Sequence, residues 1–315
     1  MDPRLLDTLR VIALPTKTNF RGVRVREVAL FEGSYGWGEF SPFLEYDFQE
    51  CVPWLACAIE AATKPLPPLG RSAIKINGTI PALDSHEDIA RIVNSYPGVQ
   101  TFKVKVGGNL SEDISRLKEV KSLRPEAKLR IDVNGSWSVE TALSNLRAIF
   151  EGVGPLEYVE QPCNTVEELR ALKEQLDLPI LIAGDEVLRK AQDPFAVDLR
   201  GAVDILMLKV APLGGITRSL QIAEHHQLPV VVSSALESAV GINYGLALAS
   251  ALPELNFDCG LGTGALLAAD VAALPIHNGE IAVTTVTPSL HGLEVSAERH
   301  EWWKNRVMKT AQLLP

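Results

Sequence analysis

The chain has 315 residues, of which 46% are hydrophobic and 22% charged, and its net charge is −9. That length and balance suit a globular protein able to bury a full core without disulfides or a structural metal. The acidic balance argues against a nucleic-acid partner, because such binding is dominated by lysine and arginine on phosphates. It leaves room for a local cationic site.

The cysteines Cys51, Cys57, Cys163 and Cys259 are scattered, with no C-x-x-C pair. That is the pattern of reduced thiols in a cytoplasmic protein. The opening Met-Asp-Pro-Arg lacks the basic start and apolar run of a secretory signal. No stretch approaches the ~18 uninterrupted apolar residues of a membrane span.

In chain order, residues 23–31 alternate apolar and polar and lead into the glycine-rich turn Gly33-Ser-Tyr-Gly-Trp-Gly38. Helical periodicity then covers Phe48–Thr63. The segment Lys64-Pro-Leu-Pro-Pro-Leu-Gly70 can continue neither a helix nor a central strand and marks a boundary, so a first domain is expected over residues 1–72. Beyond it, short apolar runs recur at 73–76, 101–106, 129–133, 156–160, 180–183, 205–209, 230–233 and 255–259, most of them separated by helical segments. Strands buried on both faces and alternating with helices are parallel. Eight such units point to a closed α/β barrel rather than to an open doubly wound sheet. The barrel is expected over 73–285, and the last residues, 286–315, fall outside the rhythm and are expected to fold back on the first domain.

The polar residues at the strand ends carry the chemistry. Lys105, Asp132, Glu160, Asp185 and Lys209 follow one another at intervals of 27, 28, 25 and 24 residues, one strand–helix unit each. In a parallel barrel they gather at the C-terminal mouth. Alternation along a strand turns Lys103 and Lys105 the same way, and likewise Arg130, Asp132 and Asn134. Singly, such acids are as readily helix caps, and such lysines as readily snorkelling surface residues. Three carboxylates at unit spacing are better explained by a shared divalent cation, and hard oxygen ligands favour magnesium over zinc. Neighbouring ammonium groups are expected to depress one another's pKa, preparing a lysine base. Ser233, Ser234, Gly260, Gly262 and Thr263 follow the last two strands, where small residues let backbone N–H groups approach an anion. A tight barrel-closing turn is the other reading of the glycines.

At these residues the chain resembles the enolase superfamily, muconate-lactonizing-enzyme-like subgroup. The likeness rests on Lys103-Val-Lys105, Asp132-Val-Asn134, Val159-Glu-Gln-Pro162, Ala183-Gly-Asp-Glu186 and Lys209. A narrower likeness to the o-succinylbenzoate synthases of menaquinone biosynthesis rests on Arg130-Ile-Asp-Val-Asn-Gly-Ser-Trp137, Ser233-Ser-Ala-Leu-Glu-Ser-Ala-Val-Gly241 and Gly260-Leu-Gly-Thr263. The resemblance implies a modified (β/α)7β barrel under an N-terminal α+β capping domain completed by the C-terminal tail. It implies magnesium, with manganese able to substitute, on Asp132, Glu160 and Asp185. Glu186 stands beside Asp185 as the alternative third ligand. Lys105 and Lys209 would flank a small carboxylate substrate, with Lys103 beside them. Arg130, Asn134, Ser233, Ser234, Gly260, Gly262 and Thr263 would contact that substrate, under loops at 18–24 and 42–47. The implied reaction is a syn dehydration through an enediolate. Racemisation of N-acylamino acids and epimerisation of dipeptides are the alternatives within the superfamily, and a non-catalytic ligand-binding barrel is a remote one. A monomer or small homo-oligomer is expected.

Overall fold

A computed structural model describes residues 2–20 and 22–315. Position 21, inside the expected 18–24 loop, lies outside the described residues. A short helix α1 (Pro3–Asp7) precedes strands β1 (Arg10–Phe20), β2 (Val23–Gly33) and β3 (Gly36–Phe40), which form an antiparallel sheet. Helix α2 (Phe48–Thr63) lies across it. Asp47 and Glu50 start that helix as a reciprocal cap: each side chain accepts the other's backbone N–H, at 2.9 and 3.0 Å. Glycine is needed at positions 33 and 38 because a Cβ on either would run into the carbonyl oxygens of Ala62 and Ala58 in α2. The glycine-rich turn is therefore a hairpin pressed on a helix.

The remaining elements alternate: β4 (Ala73–Lys75), β5 (Gly78–Ile80), α3 (His86–Asn94), β6 (Thr101–Lys105), α4 (Leu110–Leu123), β7 (Lys128–Asp132), α5 (Val139–Val153), β8 (Tyr158–Glu160) and α6 (Val166–Gln175). Then follow β9 (Leu181–Gly184), α7 (Glu186–Arg189), β10 (Ile205–Lys209), α8 (Ile216–His226), β11 (Val230–Ser233) and α9 (Ala239–Ala251). A hairpin of β12 (Ile276–His277) and β13 (Glu280–Ala282) and a terminal helix α10 (Ala297–Ala311) complete the described chain.

Among the described residues, β5 to β11 form one parallel sheet in sequential order. Two expected strands come out differently. Residues 73–75 pair antiparallel with β13, and the first barrel strand is β5. Residues 255–259 form no extended strand; the barrel closes there through single parallel bridges, Ser233 to Gly260 and Ile76 to Cys259. Along β10 the side chains divide by alternation. Leu206 and Leu208 join the strand–helix core, Ile205 and Met207 join a small cluster with Tyr158, Ala183 and Val231, and Lys209 lines the cavity described below.

Helix α10 packs against α2. Trp303 lies edge-on to Phe40 at 5.9 Å and donates its indole N–H to Glu27 at 2.8 Å, and Arg306 donates to the carbonyls of Phe43 and Tyr46 at 2.8 Å each. No helix among the described residues is long and apolar enough to cross a membrane.

Candidate active site

Strand register assembles the site. Pairing of β6 with β7 and of β7 with β8 sets Lys105 beside Asp132 and Asp132 beside Glu160 at their C-terminal ends. One layer lower the same pairing aligns Lys103, Arg130 and Tyr158. Asp185 directly follows β9, and Lys209 ends β10 opposite Ser233. All five unit-spaced residues therefore meet at the same mouth.

Their side chains interlock. Lys105 Nζ donates to Asp132 Oδ2 at 2.6 Å and to Asn134 Oδ1 at 2.8 Å. Lys103, long enough to reach up from the lower layer, donates to Glu160 Oε2 at 2.8 Å and lies 3.2 Å from Asp132 Oδ2. Lys209 donates to Asp185 Oδ2 at 2.6 Å. Arg189, four residues past Asp185 on α7, donates to Asp185 Oδ1 at 3.0 Å and to Glu186 Oε1 at 2.7 Å. Glu186 Oε1 also accepts from Asn134 Nδ2 at 3.2 Å.

The backbone is constrained just past two of these strands. Asn134 and Gln161 hold φ of +54° and +41°, left-handed values that a non-glycine residue adopts at a cost of about 1–3 kcal/mol. Gln161 uses its position: its Oε1 accepts the N–H groups of Asp185 and Val187 at 3.0 and 3.2 Å, and its Nε2 donates to the Cys163 carbonyl at 2.9 Å. It thereby fixes the turn that presents Asp185.

Burial works to raise the pKa of Asp132, Glu160 and Asp185, and the neighbours decide the outcome. For Asp132, Lys105 and Lys103 outweigh burial and hold the carboxyl below its ordinary range. For Asp185, Arg189 and Lys209 do the same. Glu160 is pushed up to about 7 by burial and by the charge of Asp132, against the pull of Lys103. Lys103 departs from the expected mutual depression of the lysines. Burial works to lower it, but Glu160 and Asp132 prevail and hold its pKa well above the ordinary lysine value.

A cavity opens above this cluster, lined by Lys103, Lys105, Asp132 and Asn134 on and just past β6 and β7, by Lys209 at the end of β10, and by Ser233, Ser234, Gly260 and Thr263 from the closing segments. The loops brace one another. The Ser234 hydroxyl donates to the Gly260 carbonyl at 2.8 Å and lies 2.8 Å from Thr263 Oγ1, and a Cβ at Gly260 would come 2.5 Å from Ser233 Oγ. Phe20, Phe43 and Tyr46 close the cavity from the two expected loops, joined by Trp54 of α2.

Two expected contacts lie elsewhere. Arg130 is fully buried in the lower layer, where it is bonded to Glu157 at 2.6 Å, Asn77 at 2.9 Å and the Asp258 carbonyl at 2.6 Å. It braces the barrel and does not line the cavity. Gly262 packs against the first strand, where a Cβ would meet Ile76 Cδ1 at 2.7 Å, so its small size serves close packing. Conversely Thr79, Pro212, Ala235 and Arg189 line the cavity without having been singled out. The spacing of Arg189 from Asp185, one helical turn, was the available signal.

Among the described residues no three acidic, histidine or cysteine side chains converge to ligand spacing. Lysine ammonium groups bridge the acids instead. The donor set nonetheless suits a hard divalent cation. Its ligands would all be carboxylate oxygens, and Glu160 Oε1 is buried with no hydrogen-bond partner, an oxygen whose cost of burial a cation would remove.

Comparison with known proteins agrees with this geometry. Residues 84–299 match the enolase C-terminal domain-like family and residues 11–62 the enolase N-terminal domain-like family. The chain is 47% identical over 320 residues to the o-succinylbenzoate synthase of Mycobacterium ulcerans (strain Agy99), covering 99% of this chain and 96% of that protein. It is 48% identical over 318 residues to the o-succinylbenzoate synthase of Mycobacterium tuberculosis (strain ATCC 25618 / H37Rv), with 98% and 95% covered. The fold is shared with muconate lactonizing enzyme from Pseudomonas fluorescens, at a TM-score of 0.72, 22% identity and coverage of 93% and 97%. It is also shared with N-succinyl Arg/Lys racemase from Bacillus cereus, at a TM-score of 0.73, 18% identity and coverage of 93% and 96%. The chain belongs to the enolase superfamily and, within it, to the o-succinylbenzoate synthase family.

Proposed function

We propose that the chain is an o-succinylbenzoate synthase, a carbon–oxygen lyase of menaquinone biosynthesis that dehydrates a succinyl-hydroxycyclohexadiene carboxylate to the aromatic succinylbenzoate. The observation that carries this reading is the pairing of Lys105 with Lys209 in one cavity over buried carboxylates, on a chain nearly half identical to such synthases along its whole length.

Asp132, Glu160 and Asp185 would hold magnesium, with manganese able to substitute. Asp185 rather than Glu186 is taken as the third ligand, because it directly follows β9 at the unit spacing of the other two acids and its charge acts on Glu160. Bound there, the cation would offset negative charge on the substrate carboxylate as the α-proton leaves. Lys105, held by Asn134, takes that proton in its neutral form. As ammonium it then protonates the departing hydroxyl on the same face, so that the C–H and C–O bonds break, a ring C=C forms and water leaves. Lys209 stays charged and stabilises the enediolate from the other side. Lys103, bonded to Glu160 and close to Asp132, sets the carboxylates and is not the base. Ser233, Ser234, Gly260 and Thr263 bind the rest of the substrate, and Phe20, Phe43, Tyr46 and Trp54 exclude water.

Residues 1–72 with 286–315 act as the capping domain and 73–285 as the barrel. The four buried, unpaired cysteines suit a reducing, cytoplasmic setting. Racemisation of N-acylamino acids is the second reading, favoured by the presence of both lysines in one cavity. The test is ultraviolet detection of aromatic product from the cyclohexadiene precursor, with N-succinylamino acid racemisation followed in parallel. Fast racemisation without aromatic product would overturn the synthase reading.

A further inference from the structure

Two carboxylates of the N-terminal unit leave their own layer and enter the starts of two successive barrel helices. Glu39, in β3, accepts the backbone N–H groups of Ser238 and Gly241 at 3.1 and 3.0 Å and the Ser238 hydroxyl at 2.5 Å, all at the start of α9. Its other oxygen accepts the Ser41 hydroxyl at 2.6 Å. Glu60, in α2, accepts the N–H of Thr217 at 3.2 Å at the start of α8, and the Tyr244 hydroxyl of α9 at 2.9 Å. Both acids are buried. Helix α8 opens on Gly215 and has no side-chain cap of its own, so a carboxylate from elsewhere meets an unfilled demand of its first turn.

Space is reserved for both. Gly215 holds φ of +112°, and a Cβ there would lie 2.5 Å from Glu60 Oε1. A Cβ at Gly241 would lie 2.9 Å from Glu39 Oε2. Arg26 of β2 adds a third tie: its Nε donates to the Leu236 carbonyl at 3.1 Å, while its Nη2 donates to the Ser41 carbonyl. Leu236 stands in the left-handed region at φ +62°.

The two helix starts matter for what precedes them. Only five residues separate Lys209 from Gly215, and that turn is closed by hydrogen bonds from Leu213 N–H to the Lys209 carbonyl at 3.2 Å and from Gly215 N–H to the Val210 carbonyl at 2.9 Å. Only four separate Ser233 from Ser238. A shift of either helix start is therefore passed to a cavity-lining residue. We infer that Glu39 and Glu60 are positioning residues: borne by the cap, they set α9 and α8 and through them the placement of Ser233–Ser234 and of Lys209. Docking of the cap and assembly of this side of the active site are then one event. Both carboxylates act through backbone and neither touches the reacting atoms. The inference rests on the proposed roles of those cavity residues.

The effects should separate by residue. Glu39→Ala loosens a binding loop and should raise KM, with kcat less affected. Glu60→Ala displaces the turn carrying Lys209 and should lower kcat, with KM less affected. A displacement of about 1 Å is worth on the order of 100-fold, and changes of that order are expected well below the unfolding temperature of each variant. Glu39→Gln, which keeps an acceptor oxygen, should recover a large part of the loss. Hydrogen exchange on the full chain without substrate is the companion measurement. It should quicken at 234–241 in Glu39→Ala and at 215–219 in Glu60→Ala. If an alanine variant does not fold, Glu39→Asp and Glu60→Asp, whose shorter side chains draw the carboxylate back from the helix starts, carry the same comparison. Loss of thermal stability alone, with kcat, KM and local exchange unchanged, would overturn the inference, as would identical effects of both variants on KM and kcat. If the wild type makes no aromatic product but the exchange pattern holds, the proposed reaction fails and the coupling of cap to barrel stands.

Discussion

Lys105 and Asp132 are register partners on adjacent parallel strands, and their side chains meet at 2.6 Å. The residue proposed as base is thus held by a residue proposed as metal ligand. Asp132 would hold a cation only by giving up part of that ion pair, which would leave Lys105 free to turn to the substrate. Removal of metal by chelator should abolish turnover, and magnesium or manganese should restore it. Asp132→Asn or Glu160→Gln should each cost about 1,000-fold or more, since each removes a charged ligand from a water-poor site. Undiminished activity after exhaustive EDTA treatment would exclude the metal.

The cap loop at 42–47 should order around ligand, because Phe43 and Tyr46 line the cavity. Amide exchange there should slow when a product analogue binds. The hairpin at 33–38, pressed on α2, should exchange equally in both states. Slowing at the hairpin alone would reverse the assignment.

Glu237 gives a pH-dependent stability. Burial and the nearby Glu39 charge push its pKa up to about 7. Because the folded value lies above the ordinary carboxylate value, ionising the group disfavours the folded state. The chain therefore loses stability as pH rises from the unfolded value near 4.5 through about 7, and the full loss is present above that. A difference of this size corresponds to on the order of 3 kcal/mol. Glu237→Gln should be more stable than the wild type at about pH 8 and lose that advantage near the unfolded carboxylate pKa. Chemical denaturation of both proteins across this range is the check; parallel stability curves would contradict it.

Much of the barrel and most of the site were legible because both have a strong period. Unit-length spacing of Lys105, Asp132, Glu160, Asp185 and Lys209 marks strand ends whatever lies between them. Alternation also turned Lys103 inward, as found. It could not say how far a side chain climbs. Lys103 and Arg130 are register partners, yet one reaches the carboxylates and the other turns to Glu157, Asn77 and the Asp258 carbonyl. The closing strand at 255–259 was misjudged because apolar composition cannot tell a strand from a segment joined by single bridges. Glu39 and Glu60 carried no signal, since the helix starts that they meet lie 157 to 202 residues away.

Gly38 tests the packing of the cap. Because a Cβ there meets the Ala58 main chain of α2, which cannot rotate aside, Gly38→Ala should destabilise by about 1–3 kcal/mol. A calorimetric midpoint equal to that of the wild type would mean that sheet and helix have slack at this point.

The most direct test of the central claim follows α-proton exchange with solvent deuterium alongside aromatic product in two lysine variants. Lys105→Ala should lose both, because the neighbouring Lys103 is held by Glu160 and Asp132 and does not replace the base. Lys209→Arg should keep part of both, since a fixed positive charge over the enediolate survives, although arginine's shape lowers the rate. The contradictory result is a racemase pattern. There, the wild type racemises N-succinylamino acids much faster than it forms aromatic product, and Lys105→Arg and Lys209→Arg each fail to exchange a single, opposite enantiomer.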